Sequence, residues 1–497
     1  MTINVAIIGA GSIGFTRKLV QDILCVPELK DTRFALMDIN EQNLNMVAQL
    51  VERDVRANNL PAVITRTTNQ QDAIRGANYV FSVVRVGGLE AFETDIDIPL
   101  KYGVDQCVGD TLAPGGIMYA QRTIPVLLSI CKDIREVGAP GAIFISHSNP
   151  MAMNTWACNQ YGGVKTIGLC HGVTGGQHLI SKALGIPEKE LDFVCAGINH
   201  QTWFIQIRHK GKDMTGKLLA AMEADPEIRE REKVRIDVLR RFGYFSTESN
   251  GHLSEYVPWY RKRPDEIKNW ISFDSWILGE TGGYLRVCRE GRNWFETDFD
   301  NWLKETPPVI SPEKRGFEHG SYIIESLETG RLYRGHFNML NTGIITNLPS
   351  DSIIEVPVYV DGNGFNVPVV GDLPLACAAT CNASISVQRM SVEAAMRGDV
   401  TLLKQAVLHD PLTGAVCNPP EVWQMVDEML VAQAQWLPQY KREDIEAAKK
   451  RLATEPRLGT KSTVGAARVK EKTIEEMRQN SAAAKANAAA AMKENAK

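Results

Sequence analysis

The feature that most constrains the fold of this chain is a glycine-rich turn near its N-terminus. An apolar segment at residues 5–8 runs directly into Gly-x-Gly-x-x-Gly at residues 9–14, and a helical pattern follows at residues 17–24. This order of strand, turn and helix is typical of a dinucleotide-binding Rossmann domain, in which the glycines allow a tight turn and a close approach of the pyrophosphate. The helix N-terminus offers unpaired N–H groups to the phosphates. The candidate cofactor-binding residues of this turn are Gly9, Gly11, Ser12, Ile13 and Gly14.

Asp38 completes the pattern of a dinucleotide site. It follows the second predicted strand, Arg33–Met37, and lies 24 residues after Gly14, close to the roughly 20 expected of a carboxylate that binds a ribose 2′-hydroxyl. Because a carboxylate repels the 2′-phosphate of NADP, the sequence predicts NAD+ as the cofactor. The alternative is an ordinary strand–turn–helix in which the glycines serve packing alone.

Composition excludes several classes of protein. The 497 residues carry a net charge of −4 without a block of like charge, which argues against nucleic acid or a membrane surface as a partner. A strand begins within a few residues of the N-terminus, and no apolar run reaches the ~20 residues of a membrane span. The ten cysteines include no C-x-x-C pair, as expected of reduced thiols. We therefore predict a cytoplasmic protein that acts on a small molecule.

Strand and helix patterns alternate through the first 200 residues. Buried strands are predicted at residues 78–84, 141–146 and 166–169, with helical patterns between them. This alternation predicts an α/β fold with a doubly wound parallel sheet, whose ligands collect beyond the carboxyl ends of the strands. Polar groups follow three of these strand ends, at residues 85–88, 148–150 and 170–171.

The pattern changes near residue 200. Charged helical segments, including residues 226–241, mix with Trp- and Tyr-rich stretches, and strands are predicted at residues 353–360 and 366–370. We predict three parts: an NAD-binding Rossmann domain at residues 1–197, an α+β domain for substrate and metal at residues 198–457, and an Ala/Lys-rich helical or frayed tail at residues 458–497. The layout is that of lactate and malate dehydrogenases.

Two short segments contain residues of the types that bind transition metals. Cys170 and His171 follow a predicted strand, and His200 comes thirty residues later. A thiolate and an imidazole bind divalent transition metals, and an incomplete ligand set leaves positions for a substrate. From spacing alone, a buried cysteine and a core histidine are the plainer alternative.

Residues 244–256 are dense in groups that can move protons. A tyrosine in this segment can act as a base if a metal or cation lowers its pKa. The alternative is a helix N-terminus, with Ser246 or Thr247 as the cap and Glu248 in the first turn. The two interpretations are compatible.

Several short motifs together carry a resemblance to a known family. They are residues 9–12, 110–117 (Asp-Thr-Leu-Ala-Pro-Gly-Gly-Ile), 149–152, 170–173, 196–200, and Thr247-Glu248-Ser249 followed by His252 and Glu255-Tyr256. From the N-terminus to about residue 440 the chain resembles glycoside hydrolase family 4, the NAD-dependent exception among glycosidases. Within the family it looks most similar to melibiase-type α-galactosidases.

The resemblance implies a redox-assisted elimination and addition. Bound NAD+ takes a hydride from carbon 3 of the sugar, a base removes the acidified proton of carbon 2, and a divalent metal, often Mn2+, stabilises the product of that step. The glycosidic oxygen then leaves, water adds, and the hydride returns. The resemblance also implies a homodimer or homotetramer.

The same resemblance assigns roles to particular residues. Cys170 and His200 match the metal ligands, and Asn149 matches the residue that contacts the sugar near the nicotinamide. Tyr244 lies where we align the catalytic base, with Tyr256 in reserve. His171 matches a position from which it would assist the leaving group as an acid; its alternative role is a hydrogen bond to substrate or a supporting contact.

The residues after the metal cysteine distinguish the family's substrates. Cys170-His171-Gly172 resembles the α-galacturonidase branch, whereas α-galactosidases usually carry Cys-His-Ser and phosphosugar enzymes Cys-Asp or Cys-Asn. Arg85 stands where melibiase-type enzymes carry Gln, and it could bind a uronate carboxylate in bidentate fashion. The alternative is that Arg85 only supports a phosphate or a nearby acid. The resemblance therefore favours an α-galacturonidase, with an α-galactosidase as the alternative.

Two other classes of protein compete with a glycosidase. An NAD-dependent 2-hydroxyacid dehydrogenase would share the layout, but it needs an Asp–His relay and no metal cysteine. An NAD-sensing regulator would have no use for Cys170, His200 and Tyr244 beside the nicotinamide. The joined motifs favour the glycosidase.

Overall fold

Six parallel strands at one end of a single large sheet form the Rossmann part of the molecule. In this computed structural model, which describes residues 2–479, they lie in the order β3-β2-β1-β4-β5-β6. This arrangement confirms the predicted doubly wound sheet. The strands are β1 Asn4–Ile8, β2 Arg33–Met37, β3 Val63–Thr67, β4 Tyr79–Ser82, β5 Ile143–Ser146 and β6 Thr166–Leu169.

Helices cover both faces of these strands. Because both faces are covered, the central strands β4, β5 and β6 are buried along their whole length and consist mostly of apolar residues. The helices are α1 Ile13–Leu24, α2 Glu41–Ala57, α3 Gln70–Ile74, α4 Gly88–Lys101, α5 Ala113–Val137, α6 Met151–Tyr161 and α7 Gly172–Leu184.

The sheet continues beyond β6 with antiparallel strands. β11 pairs with β6, and the order from there is β11-β12-β7-β8-β10, with β13 on β12 and β9 on β8. The strands are β7 Leu191–Ile198, β8 Gln201–His209, β9 Lys212–Asp213, β10 Phe245–Ser246, β11 Tyr333–Leu340, β12 Ile353–Asp361 and β13 Gly364–Asn366. The predicted boundary between residues 197 and 198 falls inside β7.

Fourteen further α-helices follow within the described residues, and several of them pack on the Rossmann helices α1, α4 and α5. The helical pattern at residues 226–241 corresponds to two of them, α9 and α10, which are separated at Glu232. The helices are α8 Leu218–Ala224, α9 Pro226–Arg231, α10 Lys233–Phe242, α11 Asn250–Tyr256, α12 Pro264–Ile267, α13 Gly283–Arg292, α14 Trp294–Thr297, α15 Phe299–Lys304, α16 His319–Thr329, α17 Leu375–Arg397, α18 Val400–His409, α19 Pro411–Val416, α20 Pro419–Gln433 and α21 Arg442–Thr454.

Part of the predicted C-terminal tail packs on the body of the protein. Ala467 is buried against Ile267 and Ile271, and the Ala466 N–H donates to Asp105 Oδ2 at 2.8 Å. Residues 480–497 of the predicted tail lie outside the described residues.

Two further predictions concern cysteines and membranes. All ten cysteines are free thiols. Within residues 2–479, the helices are too short or too polar to cross a bilayer.

Candidate cofactor, metal and substrate site

The glycine turn forms a tight, open cradle before α1. Gly9 has φ of +90°, and a Cβ there would lie 2.9 Å from the Val83 carbonyl group. Asp38 Oδ2 accepts a hydrogen bond of 2.8 Å from the Gly11 N–H, which fixes the turn against the end of β2. A Cβ at Gly14 would meet nothing within 4 Å. The first turn of α1 is therefore free to receive a pyrophosphate, so these residues fit a dinucleotide.

Three side chains converge on one point beyond the carboxyl ends of the strands. Cys170, His200 and Glu248 each offer a ligand atom, and these atoms lie within 4.8 Å of one another. Glu248 Oε2 is 3.6 Å from His200 Nε2 and 3.7 Å from Cys170 Sγ. Divalent transition metals such as Zn2+ and Mn2+ bind to thiolate, imidazole and carboxylate ligands. The residues present therefore fit a divalent metal with an incomplete protein ligand set.

Local structure explains why His200 faces this point. It is the second residue of the two-residue turn between β7 and β8, and its φ of +62° is left-handed. Its Nδ1 lies 2.9 Å from Thr111 Oγ1, and the Thr111 hydroxyl donates to Asp110 Oδ1. With the hydroxyl hydrogen donated to Asp110, a proton on Nδ1 completes this chain by donating to Thr111 Oγ1, and we assign this tautomer to His200. The lone pair is then on Nε2, which faces Glu248 and Cys170.

The charges of the other two ligands depend on their surroundings. Burial raises the pKa of the Cys170 thiol, and the negative charges of Glu248 and Glu355 raise it further. A bound cation would reverse this effect and favour the thiolate. Burial alone would raise the pKa of Glu248, but the neighbouring His200, His252 and Arg235 side chains lower it overall, so Glu248 is a carboxylate at neutral pH.

Asp110 joins the metal group to the Rossmann strands. Its Oδ2 accepts a hydrogen bond of 2.9 Å from Nδ2 of Asn149, a residue that follows β5 in the chain. The loop before Asp110 is fixed by buried Glu255, whose carboxylate accepts the backbone N–H groups of Cys107, Val108 and Gly109 at 2.6, 3.0 and 3.1 Å. The predicted sugar contact Asn149 thus lies one hydrogen bond from the residues around His200.

Arg85 occupies an aromatic cage next to Asp110. Its guanidinium carbon lies 4.5 Å from the ring centre of Phe92 and 5.1 Å from those of Tyr119 and Tyr284. Asp110 is close enough to favour the charged form of Arg85. Among the described residues the buried Nη1 has no hydrogen-bond partner. Arg85 can therefore offer this N–H to a ligand.

His171 is held by a carboxylate from the second part of the molecule. Its Nε2 lies 3.0 Å from Glu318 Oε2, and the other Glu318 oxygen is 3.6 Å from His147 Nε2. Burial alone would lower the pKa of His171, but Glu318 raises it above its usual value. The side chain remains 41% exposed, so His171 can both hold a proton and meet a ligand.

The two candidate tyrosines have different surroundings. Tyr256 ends α11 and is buried, with its hydroxyl 3.2 Å from His200 Nδ1. Tyr244 precedes β10 and packs against the main hydrophobic core. Within residues 2–479, hydrogen bonds connect Tyr256, but not Tyr244, to the metal group. Of the two candidates for the base, Tyr256 is thus the one that contacts His200.

Sequence reasoning missed several residues of this site. His252 lies beside His200 with ring centres 4.9 Å apart, and burial lowers its pKa to about 3, so it is neutral. Four of these residues lie in motifs that carried the resemblance, but their residue types alone did not reveal their roles: Asp110, Thr111, Glu248 and His252. Glu318 lay outside those motifs.

Comparisons with known proteins give matches over most of the chain. The model of the family 4 glycosyl hydrolases matches residues 4–186, and the model of that family's C-terminal domain matches residues 195–413. An α-galactosidase of Rhizobium meliloti is 59% identical over 98% of this chain and 99% of its own. An α-galacturonidase of Thermoanaerobacterium saccharolyticum is 28% identical over 82% of this chain and 91% of its own.

A solved structure shares the fold. The 6-phospho-β-glucosidase of Thermotoga maritima, solved with manganese, NAD+ and glucose-6-phosphate, has a TM-score of 0.71. It is 22% identical and aligns over 87% of this chain and 99% of its own. At that identity the likeness concerns the fold.

Proposed function

Because this chain belongs to family 4 of the glycosyl hydrolases, it is a glycoside hydrolase, and we propose that it cleaves α-galactosides with NAD+ and a divalent metal, Mn2+ first among candidates. Family membership favours a glycosidase over the 2-hydroxyacid dehydrogenase and the NAD-sensing regulator. The substrate and the cofactors are the subject of the proposal.

The convergence of Cys170, His200 and Glu248 carries this proposal. A hydrolase that relied on two carboxylates alone would have no use for a cysteine and a histidine at its centre. The group lies one short hydrogen-bonded chain from Asn149, at the edge of the sheet where the glycine turn also lies. Both candidate cofactor sites therefore lie at the same edge of the sheet.

Each cofactor would be held by residues already described. Gly9, Gly11 and Asp38 would hold the dinucleotide, and Cys170, His200 and Glu248 would hold the metal. When bound, NAD+ supplies a reversible hydride acceptor and the metal a Lewis acid for sugar oxygens. Thr111 keeps the proton of His200 on Nδ1, which leaves Nε2 free to bind.

Proton transfer falls to two side chains on this proposal. Tyr256 is the proton acceptor for carbon 2 in place of Tyr244, since its hydroxyl lies 3.2 Å from His200 Nδ1. Burial and the negative charge of Glu255 raise the pKa of Tyr256, so this role requires the bound cation to lower it. His171 is the acid for the leaving oxygen, because Glu318 favours its protonated form and its ring is accessible. Asn149 positions the sugar ring.

The relatives reverse the order of substrates that the sequence suggested. The α-galactosidase is 59% identical and the α-galacturonidase 28%, so we place α-galactosides first. The α-galacturonide remains a second candidate because the free Nη1 of Arg85 could bind a carboxylate.

One experiment tests the reaction class. Melibiose is incubated with the protein, NAD+, Mn2+ and a thiol in D2O, and the released galactose is analysed. Deuterium at carbon 2 and a requirement for both cofactors would support the proposal. Cleavage without deuterium uptake would contradict the elimination, and net NADH formation would support the dehydrogenase.

A second assay decides between the substrates. Cleavage rates of melibiose and digalacturonate are compared for the native protein and for Arg85→Met. We expect faster cleavage of melibiose. Faster cleavage of digalacturonate, lost in Arg85→Met, would instead assign Arg85 to the uronate. The homo-oligomer and the cytoplasmic location remain predictions. Light scattering tests the oligomeric state.

A further inference from the structure

A cavity of about 410 Å3 lies between α7 and α16 on the antiparallel part of the sheet. This volume is within the roughly 300–1,000 Å3 of small-molecule sites. We call it the His336 pocket and define it by six of its lining residues: Phe193, Phe317, His319, Tyr322, Tyr333 and His336. The proposed roles of the metal, cofactor and sugar residues do not involve any of these six.

His171 lies between the His336 pocket and the metal group. Its ring is stacked on that of His319 with centres 5.6 Å apart, and it meets the Phe317 ring edge-on at 6.1 Å. Val173, three residues after Cys170, also lines the pocket. The pocket thus begins at the side chain of His171, the residue that we assign to the leaving oxygen.

One polar atom of the pocket lacks a partner. His336 is 7% exposed, and among the described residues its buried Nε2 has no hydrogen-bond partner. The ring is stacked on Phe193 with centres 5.5 Å apart and planes at 12°. A buried polar atom without a partner is unfavourable, so His336 Nε2 favours a ligand group that can donate or accept a hydrogen bond.

The remaining lining residues match a particular kind of ligand. Tyr322 and Tyr333 are stacked with centres 4.9 Å apart, and Phe317 is 65% exposed at the pocket. A pyranose has apolar C–H faces that pack on aromatic rings and a rim of hydroxyl groups that form hydrogen bonds. Aromatic walls with one unpaired imidazole nitrogen suit such a molecule.

We propose that the His336 pocket binds the leaving-group sugar of the α-glycoside, an inference that rests on the proposed function. The glycone must lie where its carbons 2 and 3 reach the metal group and the nicotinamide. His171 reaches the glycosidic oxygen between the two sugars, and the second sugar then lies beyond His171, in the pocket. The pocket therefore selects oligosaccharides over simple glycosides.

The test compares two substrates that share a glycone. Kinetic constants are measured for melibiose, which has a second sugar, and for methyl α-galactoside, which has none. For Phe317→Ala and His336→Leu we expect the KM for melibiose to rise roughly three- to tenfold, the range for loss of one aromatic or hydrogen-bonding contact. The KM for the methyl glycoside should change by less than about twofold.

Phe273→Ala is the matched control, because Phe273 is similarly exposed (55%) and does not line the pocket. It should leave both substrates unaffected. Equal effects of the pocket variants on both substrates, or no effect on melibiose, would overturn the inference while leaving the proposed function intact. A native protein that cleaves neither galactoside would overturn the proposed function and this inference with it.

Discussion

The Thr111 hydroxyl lies 2.9 Å from His200 Nδ1 and donates its own hydrogen to Asp110. This pair of contacts determines which nitrogen of His200 faces the metal group. Partners of this kind orient metal-binding histidines, and their loss typically weakens metal binding about 10- to 100-fold.

Thr111→Val should therefore weaken Mn2+ binding by about 10- to 100-fold. Valine has the shape of threonine but cannot accept the Nδ1 proton. Free Mn2+ is measured by electron paramagnetic resonance during a titration. Thr123→Val is the control, since Thr123 is buried and its hydroxyl has no partner among the described residues. Unchanged Mn2+ affinity in Thr111→Val would remove Thr111 from this role.

Cys170→Ser should lose the metal and turnover but keep NAD+ binding, because the glycine turn is separate from Cys170. A serine hydroxyl is a far poorer ligand for a transition metal than a thiolate. Metal content and NAD+ affinity are measured on the same preparation. Cys288→Ser is the control, since Cys170 and Cys288 are the two partly exposed cysteines of the chain. Normal hydrolysis by Cys170→Ser would show that the metal group is wrongly assigned.

The first half of the fold could be predicted from the sequence because its signals are local. The apolar run of β2 ends at Asp38, and both predicted bounds, Arg33 and Met37, agree with the structure. The strand predicted at residues 366–370 was wrong beyond Asn366, where β13 ends. Pro368 lies two residues after Asn366, and a proline has no N–H to donate to a neighbouring strand.

The site was less predictable because its members come from distant parts of the chain. Cys170 and His200 were found through their residue types and the resemblance, but Glu248 looked equally like part of a helix cap. Glu318 reaches His171 across 147 residues, and nothing local to Glu318 indicates this contact. Tyr244 and Tyr256 are twelve residues apart with a loop between them, so the sequence does not show which of them reaches His200. The position of α11 brings the Tyr256 hydroxyl to His200.

Glu318 should make stability depend on pH in the acid range. Burial alone would raise its pKa, but the hydrogen bond with His171 and nearby histidine charge lower it from 4.5 to about 2. A carboxyl with a lowered pKa stabilises the folded state above its unfolded pKa, and this contribution is lost as pH falls through the folded one. Glu318 should thus contribute about 3 kcal/mol near pH 5–6, where His171 is charged as well.

Urea unfolding of the native protein and of Glu318→Gln, from pH 7 down to pH 2.5, tests this expectation. The difference in unfolding free energy should be largest near pH 5–6, where Glu318 and His171 are both charged, and it should shrink below about pH 4.5 as Glu318 gains a proton. Glu446→Gln is the control, because Glu446 forms an exposed ion pair with Lys449 that should contribute little. A difference that persists to pH 2.5 would contradict the lowered pKa of Glu318.

The tyrosine pair offers a matched test of the proton acceptor. Tyr256→Phe should lower kcat by about 100-fold or more and abolish deuterium uptake at carbon 2, since its hydroxyl lies 3.2 Å from His200 Nδ1. Tyr244→Phe should change neither by more than about twofold, because Tyr244 packs against the core. Both variants should bind NAD+ normally, and Tyr256→Phe should keep most of its Mn2+ affinity because Thr111 still contacts His200 Nδ1 at 2.9 Å, which separates loss of a base from loss of the metal. The reverse result, with exchange lost only in Tyr244→Phe, would restore Tyr244 as the base and leave Tyr256 as a support for His200.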